Sequence, residues 1–545
     1  MSTVRSQLVD IDARAIRPVE IRVSAGRIDS IETLEKGDVD NTFIVPGFVD
    51  AHVHIESSML TPSQFAAAAV IHGTVATVSD PHEIANVLGL PGVRYMLDDA
   101  SRVPFKFLFG APSCVPATVF ETAGASISPE ETAGLLDDDR IGYLAEMMNF
   151  PGVLQEDPDV LAKIEAARQR GKPIDGHAPG LRGDDVSKYF AAGITTDHEC
   201  TQLDEAIEKL AAGAMIQIRE GSAARNFDAL YPLIDQYPGR VAFCSDDKHP
   251  DELVSGHINA LCRRAVGRGC DLFHVLTAAC IVPVRHYRLD VGQCRVGDRA
   301  DFVELESLET FDVRRTIIDG DCVSEAGRSL ITVPPAQPMN QFRCGFKRPD
   351  QFKLPALHAT DMRVIVAEDR LLTTRSETVA PTVVGGSVVA DPDRDLLKLT
   401  VVNRYADADP AVALVRSFGL SRGALAGSVG HDSHNILGVG ADDESLCEAV
   451  NAIIGHEGGL AVVDGQRIET LPLPVAGLMS TQSCDVVAAR YQEIDTLARQ
   501  MGCTLQAPFM TLSFMALLVI PSLKLSDLGL FDGDRFQLVD HWSVP

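Results

Sequence analysis

The chain has 545 residues, of which 76 are acidic and 48 are basic, so its formal net charge is −28. A phosphate backbone needs a positive surface, and this charge therefore argues against DNA, RNA or an anionic membrane as a partner. Hydrophobic residues make up 46% of the chain and charged residues 23%, which is the balance of a globular protein that can bury several cores.

The opening residues 1–18 lack the apolar segment and cleavage site of a signal peptide, and no run of about 18 uncharged apolar residues could cross a bilayer. The 12 cysteines are scattered and form no CxxC pair. That pattern is typical of reduced, buried thiols. We therefore expect a cytoplasmic protein with no nucleic-acid partner and no membrane partner.

Short β segments occupy both flanks of a large middle region. In residues 1–46, the stretch IRVSAGRIDSIE alternates apolar and polar residues around an Ala-Gly turn, which predicts a hairpin. Residues 291–335 have the same character. We expect these two flanks to form one composite β domain.

The middle region, residues 47–290, alternates apolar runs with Ala- and Leu-rich stretches of helical spacing. This alternation predicts parallel β/α units, and their number matches a closed (β/α)₈ TIM barrel. Continuous apolar strands are what a sheet buried on both faces requires. The eight runs are FVDAHVHI, GTVATVSD, FKFLFGAP, IGYLAEMM, KPIDGHA, GITTDHE, GAMIQIR and RVAFCSDD.

A composition break follows at residues 333–355, where Pro and polar residues indicate a linker or wrapping segment. A second α/β block begins beyond it. We therefore expect an additional C-terminal α/β domain over residues 336–545.

Potential ligands stand at the ends of six candidate barrel strands. The C-terminal ends of the strands form one face in this fold, so residues far apart in sequence should converge there. The candidates are His52, His54, Asp80, His82, Glu146, His177, His198 and Asp246.

The pair His52 and His54 is the sharpest of these motifs, because residues i and i+2 of a strand point the same way. Four histidines with Glu146 and Asp246 suit a borderline divalent ion such as Mn, Fe or Zn. The donors are too many for one tetrahedral site, and they suit two metals bridged by a carboxylate and a water.

Each residue alone has a simpler interpretation. A single histidine is commonly a buried, hydrogen-bonded side chain, Glu146 could be a buried carboxyl group, and Asp246 could cap the next helix. The joint pattern favours a metal site, because ionisable residues at the ends of several buried strands are costly without a shared purpose.

With these residues in place, VPGFVDAHVHIESS and VGDRADFVEL resemble the opening and closing motifs of the amidohydrolase superfamily. SDPHEIANVLG, GHAPGLRG, TDHE, SDDKHP and SVGHDSHNILGVG resemble its adenine deaminase family. The resemblance covers nearly the whole chain. It implies a (β/α)₈ barrel with a small β-sandwich built from both flanks.

The resemblance also implies an activity, which is hydrolysis of adenine to hypoxanthine and ammonia in purine salvage. A metal-activated hydroxide would act at a binuclear Mn or Fe(II) centre. His52, His54 and Asp246 would bind one ion, His177 and His198 the other, and Glu146 would bridge both. Glu146 stands where many amidohydrolases carry a carboxylated lysine. We also expect a homodimer, as in bacterial enzymes of this kind.

The chemistry needs proton carriers as well as metals. Asp246 would take the proton of the hydroxide as it attacks C6 of the base. The DPHE turn supplies Asp80, His82 and Glu83 to protonate a ring nitrogen and the departing amine. The same turn also fits an ordinary helix start, with Pro81 near the first turn and acids beside it.

Other functions stay open. A deaminase of another aminopurine or aminopyrimidine fits the same site, and a cyclic-amide hydrolase fits less well without the usual lysine. A binding protein that has lost its chemistry is a further alternative. Nucleic-acid zinc deaminases use a PCxxC motif that is absent here. The segment HDSHN, His431 to Asn435, could be a capping loop or could close over the barrel.

Overall fold

The computed structural model describes residues 2–35, 37, 39–356 and 361–542. The chain begins with four strands, of which the first three form a continuous antiparallel meander. The predicted hairpin is confirmed, with Ala25 and Gly26 at its turn and φ values of 49° and 75°. Glycine adopts this left-handed conformation without strain. The strands are β1 (Ser2–Asp10), β2 (Ala15–Ser24), β3 (Arg27–Thr33) and β4 (Phe43–Pro46).

A parallel barrel follows. Its strands lie in a five-stranded and a three-stranded sheet, and all their pairings are parallel. They are β5 (Phe48–Val53), β6 (Thr74–Ser79), β7 (Lys106–Ala111), β8 (Ile141–Met147), β9 (Ile174–Gly176), β10 (Thr196–Asp197), β11 (Met215–Arg219) and β12 (Val241–Cys244).

Two seams close these sheets into a ring. Between β9 and β10, the Thr195 backbone N–H donates to the carbonyl of Ile174 at 2.9 Å. Between β12 and β5, the Asp246 N–H donates to the His52 carbonyl at 3.0 Å. The Asp50 carboxylate strengthens this second seam by accepting from the Ser245 N–H at 3.0 Å and from His257 Nε2 at 2.8 Å. The predicted (β/α)₈ barrel is therefore confirmed.

Helices cover the outside of the ring, as the spacing of Ala and Leu predicts. A π-helical turn, Thr277–Ile281, joins the last two. The helices are α1 (Pro62–Ala69), α2 (His82–Leu88), α3 (Leu90–Ala100), α4 (Pro129–Leu136), α5 (Phe150–Leu154), α6 (Pro158–Gln169), α7 (Asp184–Ala191), α8 (Leu203–Ala211), α9 (Phe227–Leu230), α10 (Leu233–Gln236), α11 (Pro250–Ser255), α12 (Ile258–Gly267), α13 (Leu272–Leu276) and α14 (Val282–Tyr287).

Four strands after the barrel return to the opening strands and complete one eight-stranded sheet in the order β16-β15-β14-β13-β4-β1-β2-β3. Both flanks of the barrel thus contribute to one sheet, as the alternation in residues 1–46 and 291–335 indicates. The predicted domain boundaries stay predictions. The four strands are β13 (Phe302–Leu305), β14 (Val313–Ile318), β15 (Asp321–Glu325) and β16 (Arg328–Ser329).

The C-terminal part of the chain is mainly a second eight-stranded sheet, ordered β19-β18-β23-β22-β25-β24-β26-β27. Its strands and the minor ones around it are β17 (Leu354–Pro355), β18 (Met362–Ala367), β19 (Thr374–Val379), β20 (Val383–Val384), β21 (Ser387–Val388), β22 (Leu397–Val402), β23 (Ala411–Arg416), β24 (Ala424–Gly427), β25 (Ile436–Gly440), β26 (Gly459–Asp464), β27 (Arg467–Pro472), β28 (Leu523–Ser526), β29 (Gly529–Asp532) and β30 (Gln537–Leu538). The helices are α15 (Asp443–Gly455), α16 (Cys484–Gln500) and α17 (Pro508–Ser513).

Both faces of this second sheet are buried. Because neighbouring side chains of a strand point to opposite faces, Ala424 and Ala426 join a cluster under α15 while Leu425 joins the main core with the barrel. The C-terminal sheet therefore packs onto the barrel through shared apolar residues. Within the described residues, no helix combines the length and the apolar character that a membrane span requires.

Candidate functional site

The two histidines of the HxH motif stand at the end of β5 and point the same way. His52 and His54 are almost fully buried, and their Nε2 atoms lie 3.2 Å apart. His54 Nδ1 lies 3.3 Å from the backbone carbonyl of Asp80. A proton on Nδ1 makes that hydrogen bond and leaves the Nε2 lone pair for a metal ion, as is usual for ligating histidines.

Glu146, near the end of β8, lies between two groups of imidazoles. Its Oε2 atom is 2.8 Å from His177 Nδ1 and 3.2 Å from His198 Nε2. Its other oxygen, Oε1, is 3.4 Å from His54 Nε2. The two oxygens therefore contact different histidines of the cluster, although Oε2 is also 4.0 Å from His52 Nε2, and this arrangement suits a bridging carboxylate.

Asp246 follows β12 and completes the group. Its Oδ1 atom is 3.3 Å from His54 Nε2 and 3.7 Å from His52 Nε2. The residue has a φ of 53°, a left-handed conformation that aspartate adopts more readily than most side chains. All six predicted ligands thus lie in one buried cluster, while their roles as ligands stay predictions.

The donor set of this cluster fits divalent transition ions. Four imidazoles and two carboxylates are packed together, and His52 Nδ1, His177 Nε2 and His198 Nδ1 have no hydrogen-bonding partner within the described residues. Burial would raise the pKa of Glu146, but the adjacent His177 and His198 hold that pKa well below its usual range. Nitrogen and carboxylate donors around an ionised centre are what a borderline divalent cation binds.

Two further residues of the site are missing from the sequence prediction. The Arg219 guanidinium, at the end of β11, pairs with both oxygens of Glu199, with Nη2 2.9 Å from Oε2. Its Nη1 atom is also 2.9 Å from Asp246 Oδ2. Burial would raise the pKa of Asp246, and this guanidinium and His54 hold that pKa well below its usual range.

The DPHE turn lies beside the cluster and begins α2. Asp80 accepts the His82 backbone N–H at 3.0 Å, and its other oxygen is 3.2 Å from His82 Nδ1. His82 Nδ1 is also 3.6 Å from Glu146 Oε1. The turn therefore starts a helix and also places His82 beside the cluster. A helix start and a place in the site are thus compatible for this motif.

Glu83 lines the same cavity, 3.5 Å from His82 Nε2, and contacts the C-terminal part of the chain. Its Oε1 atom lies 2.5 Å from His431 Nδ1, and its Oε2 atom contacts His434 Nε2. The HDSHN segment therefore closes over the barrel, the second of its two interpretations. We call the five C-terminal residues that line the cavity above the cluster the roof: Leu372, His431, Asp432, Phe514 and Leu517.

A buried ion triad holds the loops that carry His177 and His198. Lys209 is fully buried, with its Nζ atom 3.1 Å from Asp197 Oδ2 and 2.9 Å from Glu205 Oε1. Asp197 accepts the backbone N–H groups of residues 178 and 199. Glu205 accepts those of residues 180 and 201. One lysine thus pairs with two carboxylates that fix the loops after β9 and β10.

Comparison with known families divides the chain in two. Residues 43–323 match the model of the amidohydrolase family, and residues 371–537 match that of the adenine deaminase C-terminal domain. The first match spans the barrel and the second spans most of the sheet that carries the roof. The predicted fold class is confirmed by both the structure and the first match.

Several relatives match nearly the full length of the chain. An adenine deaminase of Salinibacter ruber is 55% identical over 99% of this chain and 99% of its own. One of Methanosarcina mazei is 49% identical over 98% of both chains. One of Borreliella burgdorferi is 42% identical over 99% of both.

Two solved structures are similar to about 60% of this chain. A β-aspartyl dipeptidase of Fervidobacterium islandicum has 13% identity and a TM-score of 0.45, and covers 60% of this chain and 98% of its own. An N-acetyl-D-glucosamine-6-phosphate deacetylase of Mycobacterium smegmatis has 18% identity and a TM-score of 0.45, and covers 59% and 100%.

The triad around Lys209 leads to a prediction. Lys209→Met should destabilise the protein by about 3–5 kcal/mol, because removing one partner leaves buried carboxylates uncompensated. Thermal and denaturant unfolding measure the change. Lys188→Met is the matched control, since Lys188 is exposed on the neighbouring helix and should change stability by less than about 0.5 kcal/mol. Equal stability of the two variants would contradict the structural role of the triad.

Proposed function

The chain belongs to the adenine deaminase family of the amidohydrolases, and from that membership we propose that it hydrolyses adenine to hypoxanthine and ammonia. One observation carries the proposal. The six candidate ligands form one buried cluster at the C-terminal ends of the barrel strands, beneath the roof supplied by the C-terminal part of the chain.

We propose that the cluster holds two divalent ions, Mn or Fe(II). His52, His54 and Asp246 would bind one, His177 and His198 the other, and Glu146 would lie between them. Bound there, such ions would acidify a water so that it attacks near neutral pH. The split of the Glu146 oxygens between His54 and the pair His177 and His198 supports this assignment.

Asp246 is the proton acceptor of the proposed reaction. Water adds at C6 of the base, and its proton passes to a carboxylate oxygen of Asp246. Arg219 keeps that carboxylate ionised and fixes its orientation through the 2.9 Å contact with Oδ2. Glu199, on the far side of the same guanidinium, holds Arg219 in place.

His82 is the proton donor for the departing amine. Burial would lower the pKa of His82, but the carboxylates of Asp80 and Glu83 raise it well above its ordinary value, which favours the protonated imidazole. The Asp80 carboxylate lies 3.2 Å from Nδ1 of the same ring. The two oxygens of Glu83 contact His431 and His434 of the C-terminal part, which makes Glu83 a positioning residue.

We further propose that the enzyme acts on the free base in purine metabolism, in the cytoplasm and as a homodimer. The acidic net charge and the burial of the site residues support a small substrate rather than a nucleic acid. The alternative is deamination of another aminopurine or of an aminopyrimidine base, and the experiment must distinguish it from deamination of adenine.

The experiment that tests the function is a substrate panel. Mn-supplied protein should release ammonia from adenine with a kcat/KM at least about tenfold above those for adenosine, guanine and cytosine, because the buried site leaves mismatched polar groups unpaired. If one of the other compounds has a higher kcat/KM, that compound is the substrate and adenine is not. No ammonia from any of the four would contradict a deaminase.

The metal assignment predicts a stoichiometry. Protein grown with Mn should contain about two metal ions per chain. Glu146→Gln should lower the content of both ions, since glutamine keeps the shape but loses the charge between them. Elemental analysis and Mn titration measure this, with Glu165→Gln on an exposed helix surface as the matched control. Full activity with one tightly bound ion would refute the binuclear assignment.

The role of Asp246 predicts a kinetic result. Asp246→Asn keeps a coordinating oxygen but cannot accept the proton, so kcat should fall by about two to four orders of magnitude. Most of the metal should stay bound, because five other candidate ligands remain. The exposed Asp204→Asn is the control. Near-normal turnover with a lowered melting temperature would make Asp246 a structural residue only.

A further inference from the structure

The proposed reaction needs a second hydrogen-bond donor that the DPHE turn does not supply. When water adds at C6, the purine ring loses aromaticity and negative charge builds on a ring nitrogen. A donor placed there beforehand stabilises the transition state. His82 serves the amine, and Glu83 has both oxygens engaged. The remaining polar groups above the cluster belong to the roof.

Hydrogen bonds fix the orientation of the two histidines beside Glu83, beginning with His434. The Gly430 backbone N–H donates to His434 Nδ1 at 3.2 Å. Because Nδ1 accepts this hydrogen bond, the ring proton lies on Nε2, and burial lowers the pKa of His434. That proton faces Glu83 Oε2. The Nε2 atom of His434 thus contacts the carboxylate, and it has no lone pair for a metal.

Glu83 in turn orients His431. Its Oε1 atom accepts from His431 Nδ1 at 2.5 Å, so the opposite ring atom, Nε2, is left for other partners. Nε2 is buried and has no hydrogen-bonding partner among the residues that the structure describes. The imidazole lines the cavity over the cluster, with the Phe514 ring 5.2 Å away between centroids.

The surroundings of His431 favour the protonated ring. Burial would lower its pKa, but the carboxylates of Glu83, Asp247 and Asp432 outweigh burial and raise it to about 9. A protonated imidazole donates from both nitrogens. Nε2–H is thus a charged donor at the wall of the cavity.

The segment that carries His431 is held rigidly from both sides. Arg404 is fully buried and donates to the carbonyls of His434 and Ala476 at 3.3 and 2.9 Å. The Tyr405 hydroxyl donates to the Ser433 carbonyl at 2.6 Å. On the barrel side, the Asn435 amide donates to the carbonyl of residue 122 at 2.9 Å.

We propose that His431 is a catalytic residue of the C-terminal domain, which donates a hydrogen bond from Nε2 to a ring nitrogen of the purine and strengthens it as charge builds there. The proposal rests on the proposed function. It makes Glu83 and His434 positioning residues, which act through the orientation of His431.

Two substitutions separate contact with the substrate from contact with Glu83. His431→Asn keeps an N–H near the Nδ1 position, within reach of Glu83, and removes Nε2. His431→Gln places an amide N–H near the Nε2 position and gives up the contact with Glu83. His456→Asn is the control, because His456 is an exposed histidine of the same domain.

The expected result is a split between kcat and KM. His431→Asn should lower kcat for adenine by about 100-fold, the scale of one lost donor to a developing charge, while KM changes by less than about fivefold. His431→Gln should recover about tenfold of that loss. Metal content and melting temperature should match those of the unmodified protein, and His456→Asn should behave normally.

The possible failures are distinguishable. If the unmodified protein releases no ammonia from adenine, the proposed function is wrong. If it does and His431→Asn keeps its kcat within threefold, the imidazole does not touch the reacting ring. A loss of kcat in His431→Asn that comes with loss of metal, or that His431→Gln does not relieve at all, would make His431 a structural residue and overturn the inference.

Discussion

The need to balance charge without water governs the arrangement at the end of the barrel. Glu146 and Asp246 are carboxylates removed from solvent, and each is surrounded by imidazoles at 2.8–3.7 Å. Isolated ions in such a place would cost several kcal/mol each. Arg219 compensates on one side of the cluster, and Lys209 compensates the carboxylates beneath the loops on another. The remaining imbalance is what two divalent cations would offset.

The strand ends give this cluster its precision. His52 and Asp246 share the seam that closes the barrel, where their backbones are hydrogen-bonded at 3.0 Å. A shift of either strand would therefore move the candidate ligands together with the barrel backbone. The loops after β9 and β10 are held in a different way. Their backbone N–H groups donate to the buried carboxylates of Asp197 and Glu205, which pair with Lys209. Rigid positioning of this kind is what a catalytic constellation needs.

Sequence periodicity accounts for the parts of the site that belong to the barrel. The HxH spacing places both imidazoles on one side because strands repeat every two residues. The other ligands follow from their position at strand ends. Glu199 and Arg219 escaped prediction, although each stands at a strand end, because each forms its ion pair with a residue distant in sequence. The contact between Glu83 and His431 depends on how one sheet packs on the barrel, and no local pattern encodes that packing.

The roof residues that cover the cluster are synthesised after the barrel residues that form the cluster. The ribosome produces every candidate ligand up to Asp246 before it reaches His431, Phe514 and Leu517, at a rate of about 5–20 residues per second. During that interval the barrel end is uncovered, and metal ions can reach it directly from solution. Once the C-terminal sheet docks and Asn435 bonds to the barrel, the same ions would lie beneath a packed layer. For the proposed metal ions, this order of synthesis would allow binding to the cluster before the roof covers it.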